Sequence, residues 1–157
     1  PEIDGFKPAH RKLLYTMYKM GLLTGPKQKS AKVVGQTMVL NPHGDSAIYE
    51  TLVRLTTGKG VLLHPFIESK GSFGKQCSEM VYAASRYTEV KLAKICNEIF
   101  GGINKNAVDM IDNYDATLKE PTLFPVTFPS VLVNANTIVS DNTIIRIKVS
   151  NIFTFFI

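Results

Sequence analysis

The feature that most constrains this fold is a tight break at Pro42 and Gly44 between two short amphipathic segments. Ser30 can cap a helix in the first segment, and Asp45 can cap the second, which runs to about Thr57. Two short helices joined by a tight turn are typical of a helix-turn-helix, whose second helix can enter the major groove of DNA. Helix pairs with a glycine turn are also common elsewhere, so both interpretations stay open at this point.

A third amphipathic helix is predicted earlier, over residues 9–21, where Gly21 is placed to end it. The apolar positions of the three segments in chain order are Leu14, Met17, Tyr18 and Leu22, then Val33, Val34, Thr37 and Met38, then Ile48, Leu52, Val53 and Leu55. Their spacing puts each set on one face of a helix. We therefore expect a helical core in the first third of the chain.

The positive charge is concentrated at one end of the chain. Residues 1–35 contain seven lysines and arginines and two acidic residues, while the rest contains eleven of each, so this segment carries the whole net charge of +5. A basic segment is the electrostatic footprint expected of a phosphate-binding face, because neutralising phosphates releases counterions. A solvated basic helix without a partner is the alternative.

The middle of the chain predicts a hairpin and a further helix. Residues 61–85 have two apolar runs around a glycine-rich loop with Phe73 at its centre, as in a hairpin-like wing. Thr88 can then cap a helix over 89–100. Its predicted apolar face consists of Val90, Leu92, Ile95 and Ile99 or Phe100. Tyr87 would then lie just outside a helix N-terminus, where free N–H groups favour an anion such as phosphate. An ordinary half-buried aromatic is the alternative for this tyrosine.

The last third of the chain has a different sequence pattern from the helical part. Turns, prolines and short β-prone runs predict sheet structure after residue 109, and residues 138–157 end in an apolar run too short and interrupted to span a membrane. Cys77 and Cys96 cannot form a four-ligand zinc site, and nothing at the start resembles a signal peptide. We expect a cytoplasmic protein in a reducing compartment.

Six motifs then occur in an order and spacing that carry a resemblance, over about residues 1–137. They are DGFKPAHRKLLYTMYKMG, KSAKVVGQTM, NPHGDSAIYETLVRL, GSFG, AASRYTEVKLAKI and DNYDATLKEPTLFPVTFPSVLVN. The sequence resembles the A subunits of bacterial type IIA DNA topoisomerases, namely those of gyrase and topoisomerase IV. The resemblance implies an α+β fold, with a winged-helix breakage-reunion domain over 1–108 and the start of a β-containing tower domain over 109–137. Residues 138–157 depart from the family pattern as a divergent tail.

The resemblance assigns chemistry to Tyr87 and Arg86. Tyr87 matches the nucleophile that attacks a backbone phosphorus and becomes attached to the 5′ end of the cut strand, and Arg86 matches the arginine that steadies the scissile phosphate. Positive charge beside the phenol favours the phenolate, and the same guanidinium can stabilise negative charge in the transition state. The covalent intermediate conserves the phosphodiester energy, so the strand can be resealed.

Further positions match other sites of the family. Those that match DNA-contacting residues near the cut are Lys7, His10, Arg11, Lys29, Lys32 and His43. Ser46 and Glu50 match the residues that anchor quinolone drugs through a metal-bound water, and they lie one helical turn apart. No metal ligand is predicted in this chain itself.

The resemblance also implies partners: double-stranded DNA, a second copy of the same chain in a homodimer, and a TOPRIM/ATPase B-type subunit that holds Mg²⁺ and ATP. The chain begins after the position of a further catalytic arginine of the family, and the tail resembles the product of a truncated or frame-shifted gene. Three readings therefore stay open: a module that cleaves and rejoins DNA, a winged-helix fragment that only binds DNA, and an inactive remnant. Gyrase and topoisomerase IV are not distinguished.

Overall fold

The computed structural model describes residues 4–57, 64–74, 81–128 and 130. It is a mixed α+β structure in which helices and strands are interspersed along the chain. The elements are α1 (Pro8–Lys19), β1 (Gln28–Lys29), α2 (Ser30–Thr37), α3 (Asp45–Thr57), β2 (Ile67–Lys70), β3 (Glu89–Leu92), α4 (Cys96–Phe100), a 3₁₀ turn (Ile103–Lys105), β4 (Met110–Asp112) and β5 (Lys119–Pro121).

The three predicted helices of the first third are confirmed as α1, α2 and α3. Pro8 begins α1, a position where its missing N–H costs nothing, and Gly21 follows the helix with a φ of 73°. The predicted apolar faces are buried, with two exceptions: Tyr18 is half-buried and Met38 is 39% exposed. Met38 lies just beyond the last residue of α2, at its C-cap.

Ser30 does not cap α2, contrary to the prediction. It is the first residue of the helix, it is fully buried, and its hydroxyl accepts a hydrogen bond from Thr88 at 2.7 Å. The Ser30 side chain therefore bonds to Thr88, far along the chain, and does not cap the helix end as the local sequence predicts.

A three-stranded antiparallel sheet packs beside the helices, in the order β1-β3-β2. Ile67 pairs with Leu92 and Lys70 with Glu89, and on the other edge Gln28 pairs with Val90. The central strand, β3, buries Val90 and Leu92 on one side, in the alternation that a strand requires. The sheet joins the segment before α2 to residues more than fifty positions later.

The predicted helix over 89–100 is wrong in its first half. Residues 89–92 form β3, and only Cys96–Phe100 is helical, ending where Gly101 was expected to end it. Val90 and Leu92 are two residues apart, a spacing that places them on one face of a strand but not of a helix, and pairing with two neighbouring strands confirms the strand. β2 pairs with β3, and residues 61–63 and 75–80 of the predicted wing lie outside the described residues.

Aromatic rings connect the two ends of the described chain. Phe6 packs edge-on against Phe66 at 5.1 Å and Phe124 at 5.6 Å between ring centroids, and Phe124 contacts Phe100 at 5.0 Å. Ser130 donates a 2.6 Å hydrogen bond to the carbonyl of Asp4. The segment before α1 is therefore part of the core.

The sheet structure predicted after residue 109 is present as the antiparallel pair β4 and β5.

Cys96 is buried, and burial raises the pKa of its thiol to about 12, so it is an unreactive core residue. Cys77 and the tail 138–157 lie outside the described residues. No helix in the described ranges has the length and apolar character needed to cross a membrane.

Candidate functional site

Arg86 and Tyr87 lie on an exposed turn that precedes the central strand of the sheet. The Tyr87 side chain is 66% exposed, and its backbone N–H donates a 2.9 Å hydrogen bond to the carbonyl of Ala84. The Arg86 guanidinium carbon lies 4.7 Å from the centroid of the Tyr87 ring, within the range of a cation–π contact. The phenol and the guanidinium thus face solvent together, where a polymeric substrate could reach both.

The helix N-terminus near Tyr87 is that of α2, not of a helix that follows the tyrosine. The N–H of Ser30 donates to the carbonyl of Thr88 at 2.9 Å, and the N–H of Ala31 donates to the carbonyl of Ser85 at 3.1 Å. The expectation that Tyr87 lies just before its own helix is therefore wrong. These first amide groups of α2 hold the turn itself, so they fix where Tyr87 stands.

A chain of buried hydroxyls lies beneath the turn. The Tyr49 hydroxyl donates to the carbonyl of Ala83 at 2.6 Å, and it lies 3.1 Å from the Thr88 hydroxyl, which donates to Ser30 at 2.7 Å. Thr88 and Ser30 are fully buried and Tyr49 is 8% exposed. The sequence did not predict this arrangement. Ser30 and Thr88 each precede or begin a predicted helix and were expected to cap it, and Tyr49 resembles an ordinary core aromatic.

Gly71 lies against the same turn. Its φ is 111°, and a Cβ atom placed on it would lie 3.2 Å from Cγ2 of Thr88 and 3.4 Å from the carbonyl oxygen of Tyr87. Only glycine accepts both this backbone conformation and this contact without strain. The start of the loop after β2 is thereby fitted to the backbone of Tyr87 and Thr88.

Lys29 and Lys32 flank the start of α2, beside this turn. The Lys29 ammonium lies 3.0 Å from a carboxylate oxygen of Glu89, which Lys70 approaches at 4.0 Å. The hydrogen bond and the charge of Lys29 hold the pKa of Glu89 below its usual range. Lys32 donates a 3.4 Å hydrogen bond to Gln28 and is exposed. The turn and these basic residues form one group.

Lys7, His10 and Arg11 form a second group at the start of α1. Lys7 is exposed, whereas His10 is 5% exposed and its Nδ1 atom has no hydrogen-bond partner. Burial, and next the charges of Lys7, Arg54 and Arg11, lower the pKa of His10 to about 4. His10 is therefore neutral at physiological pH, and Arg54 of α3 is a basic neighbour that sequence reasoning did not single out.

Arg11 is engaged within the protein. Its Nε lies 2.9 Å from Oδ2 of Asp4, and Nη2 donates to Oδ1 of Asp4 at 3.0 Å and to the carbonyl of Phe6 at 2.9 Å. Asp4 is fully buried and also accepts from the N–H groups of Phe6 and Phe124. Burial alone would raise the pKa of Asp4, but the hydrogen bonds from Arg11, Phe6 and Phe124 outweigh it and the pKa is lowered.

The remaining predicted residues lie around the start of α3. His43 is exposed in the loop before the helix, next to Gly44, whose φ is 102°. Ser46 and Glu50 are exposed on the first two turns of α3, at the i and i+4 positions of one face. They could both contact one ligand, and Tyr49 lies between them in sequence with its side chain turned to the buried side.

A metal site would need several ligands close together. Within the ranges that the structure describes, no three His, Cys, Asp or Glu side chains are grouped so that they could hold a metal ion. The place of Mg²⁺ in a partner protein stays a prediction.

Known proteins match this chain over the same part of the sequence as the six motifs. The family model for the A subunit of DNA gyrase/topoisomerase IV matches residues 1–139. The chain is 46% identical over 133 residues to the DNA gyrase A subunit of Metamycoplasma arthritidis, an alignment that covers 83% of this chain and 15% of the relative. It is 43% identical over 133 residues to that of Thermotoga maritima, covering 83% of this chain and 16% of the relative. It is also 43% identical over 136 residues to that of Streptococcus pneumoniae, covering 85% and 16%.

In these alignments the chain spans about one sixth of the length of the curated relatives it matches. The family match covers most of the chain, and it includes α1 to β5 and the exposed Arg86–Tyr87 turn. The chain therefore belongs to the family of DNA gyrase/topoisomerase IV A subunits.

Proposed function

We propose that this chain is the DNA-cleaving part of the A subunit of a type II DNA topoisomerase, and that Tyr87 is its nucleophile. The observation that carries the proposal is the exposed Tyr87 phenol with the Arg86 guanidinium 4.7 Å from its ring, on a turn held from below by buried hydrogen bonds. A winged-helix domain over 1–108 and the start of a tower domain over 109–137 are part of the proposal. The three-helix layer and the β1-β3-β2 sheet support the first of these.

The proposed step exchanges one ester bond for another. The Oη atom of Tyr87 attacks a backbone phosphorus, the Oη–P bond forms, and the bond from phosphorus to the 3′ oxygen breaks. The phenol gives up its proton and the departing 3′ oxygen takes one up, so the charges balance. Arg86 stabilises the negative charge on the phosphoryl oxygens during the exchange. The reverse reaction restores the strand, and two copies of the chain working together cut both strands.

The basic residues have two proposed roles. Lys7, Lys29, Lys32 and His43 are exposed and contact DNA phosphates directly. His10 and Arg11 also belong to the proposed DNA site. The burial of His10 and the ion pair of Arg11 with Asp4 favour an indirect contribution, in which they shape the segment that carries Lys7. The prediction is a weaker salt dependence of DNA binding when the exposed lysines are removed.

Two further assignments complete the proposal. Ser46 and Glu50 form a quinolone-binding position, since both side chains are exposed one turn apart on α3. A B-type subunit supplies Mg²⁺ and ATP, and a change in DNA topology requires that B-type partner together with a second copy of the chain described here.

The test is a cleavage assay with the whole chain, a B-type subunit that carries TOPRIM and ATPase domains, Mg²⁺ and supercoiled plasmid. We expect protein covalently attached to DNA after detergent denaturation. Tyr87→Phe should abolish the adduct, and Tyr114→Phe should not, because Tyr114 is a similarly exposed tyrosine, at 61%, outside the site. An adduct that survives Tyr87→Phe would overturn the assignment. DNA retention that is sensitive to salt, without any adduct, would instead identify a DNA-binding module.

A further inference from the structure

We propose that Tyr49 is a positioning residue for Tyr87, acting with Thr88 through the buried hydroxyl chain. The inference rests on the proposed function and names a residue that does not touch the substrate. The hydroxyl of Tyr49 reaches residues on both sides of the nucleophile: it donates to the carbonyl of Ala83 at 2.6 Å and lies 3.1 Å from the hydroxyl of Thr88. One oxygen atom on α3 therefore holds the Ala83 end of the turn by a hydrogen bond and contacts the Thr88 hydroxyl at the other end.

A second set of bonds attaches the same turn to α2. Thr88 donates its hydroxyl proton to Ser30 at 2.7 Å, and the Thr88 carbonyl accepts the Ser30 N–H at 2.9 Å. Thr88 is thus bonded to α2 through both its side chain and its backbone, and its hydroxyl lies 3.1 Å from that of Tyr49 on α3. The turn is fixed against two rigid elements rather than one, so its position follows that of α2 and α3 together.

The burial of these groups gives the bonds their stiffness. Thr88 and Ser30 have no exposed surface, and Tyr49 is 8% exposed. Hydrogen bonds in such surroundings are stronger than in water, and a partner left unsatisfied there is costly. A turn that moved away from α2 and α3 would have to break several of these bonds at once.

The nucleophile needs this support because it has little of its own. Tyr87 is 66% exposed, and the contact that we describe for its ring is with Arg86, which is exposed as well. Attack on phosphorus depends on the distance and angle of the attacking oxygen, and a misplacement of about 1 Å can cost roughly 100-fold in rate. The precision must therefore come from the backbone beneath, which the Tyr49 hydroxyl holds.

The test compares Tyr49→Phe with the unaltered chain in the same cleavage assay with a B-type subunit. Phenylalanine keeps the ring that packs edge-on against Tyr82 at 5.5 Å and removes only the hydroxyl. We expect the first-order rate of adduct formation at saturating DNA to fall about 10-fold. The Kd for duplex DNA should stay within about two-fold, because Tyr49 contacts no substrate. Tyr18→Phe removes a hydroxyl that accepts a hydrogen bond from Asn104 elsewhere, and it should leave both quantities unchanged.

A conservative pair at Thr88 separates positioning from general structure. Thr88→Ser keeps the hydroxyl and should retain most of the rate, whereas Thr88→Val keeps the shape and should lose it. Hydrogen exchange of the Tyr87 amide, which donates to Ala84, should accelerate in Tyr49→Phe and Thr88→Val and not in Tyr18→Phe. The proposal is overturned if Tyr49→Phe forms adduct at the unaltered rate while Tyr87→Phe forms none. An adduct that persists in Tyr87→Phe would instead remove the proposed function on which the inference rests.

Discussion

Arg11 and Asp4 form a two-point ion pair, with Nε to Oδ2 at 2.9 Å and Nη2 to Oδ1 at 3.0 Å. The same carboxylate accepts the N–H of Phe124, 120 positions along the chain. Arg11, which we propose for the DNA site, thus pairs with a carboxylate that joins the segment before α1 to Phe124. The pair is accordingly important for stability, whatever Arg11 contributes to DNA binding.

Asp4→Asn should destabilise the chain by about 3 kcal/mol, because it leaves the Arg11 guanidinium without its buried counter-charge. Asp112→Asn is the matched control, since Asp112 is exposed on β4, and it should change the free energy of unfolding by less than about 0.5 kcal/mol. Urea denaturation followed by circular dichroism measures both. Equal midpoints for the two variants would show that the ion pair is not a structural clamp.

The residue patterns predict the helices well and the sheet poorly. The three helices of the first third follow from apolar spacing and from breaks such as Gly21 and Gly44, which are local signals. The three-stranded sheet forms because Glu89–Leu92 pairs with Gln28–Lys29 and Ile67–Lys70. The residues near Val90 in the sequence do not predict this long-range pairing. For the same reason the motifs single out Arg86 and Tyr87, while Tyr49 and Thr88 emerge only once their distant partners are known.

Stability should fall as pH falls from neutral, because of His10. Its pKa is about 4 in the folded chain against an ordinary value of 6.5, so the unfolded chain binds more protons between these values. The stabilising contribution is complete above about pH 6.5 and is lost as the pH falls toward 4. We expect the free energy of unfolding to decrease by about 2 kcal/mol from about pH 7.5 to about pH 5 on account of His10.

The check is urea denaturation at several pH values for the unaltered chain, His10→Gln and His43→Gln. The His10 variant should have a flatter dependence on pH, and the variant at exposed His43 should follow the unaltered chain. Parallel curves for all three would contradict the assignment of this pH dependence to buried His10.

Two glycines should respond in opposite directions to alanine. Gly71→Ala adds a Cβ atom 3.2 Å from Thr88 at a φ of 111°, so it should destabilise the chain by about 2 kcal/mol and slow adduct formation. Gly35 lies inside α2 with open space at its Cβ position, and Gly35→Ala should stabilise by up to about 1 kcal/mol. Thermal unfolding measures whether each variant is more or less stable than the unaltered chain. A stabilising Gly71→Ala would mean that the loop is not fitted closely to the turn.

Glu89→Gln should tighten DNA binding. The carboxylate of Glu89 pairs with Lys29 at 3.0 Å and is approached by Lys70, so it offsets positive charge beside the Arg86–Tyr87 turn. Its removal should lower the Kd for duplex DNA a few-fold at low salt and steepen the salt dependence. Glu68→Gln is the control, because Glu68 pairs with Lys91 in the same sheet. Fluorescence anisotropy across a salt series measures the effect, and an unchanged or weaker affinity for Glu89→Gln would contradict it.

Tyr87 is proposed to form a bond to the 5′ phosphate of cut DNA. The proposed bond is tested most directly by trapping the cleaved complex, digesting the DNA with nuclease, and mapping the modified peptide by mass spectrometry. We predict a nucleotide attached through its 5′ phosphate to the side chain of Tyr87. A nucleotide on another residue such as Tyr114, or one attached through its 3′ phosphate, would contradict this claim.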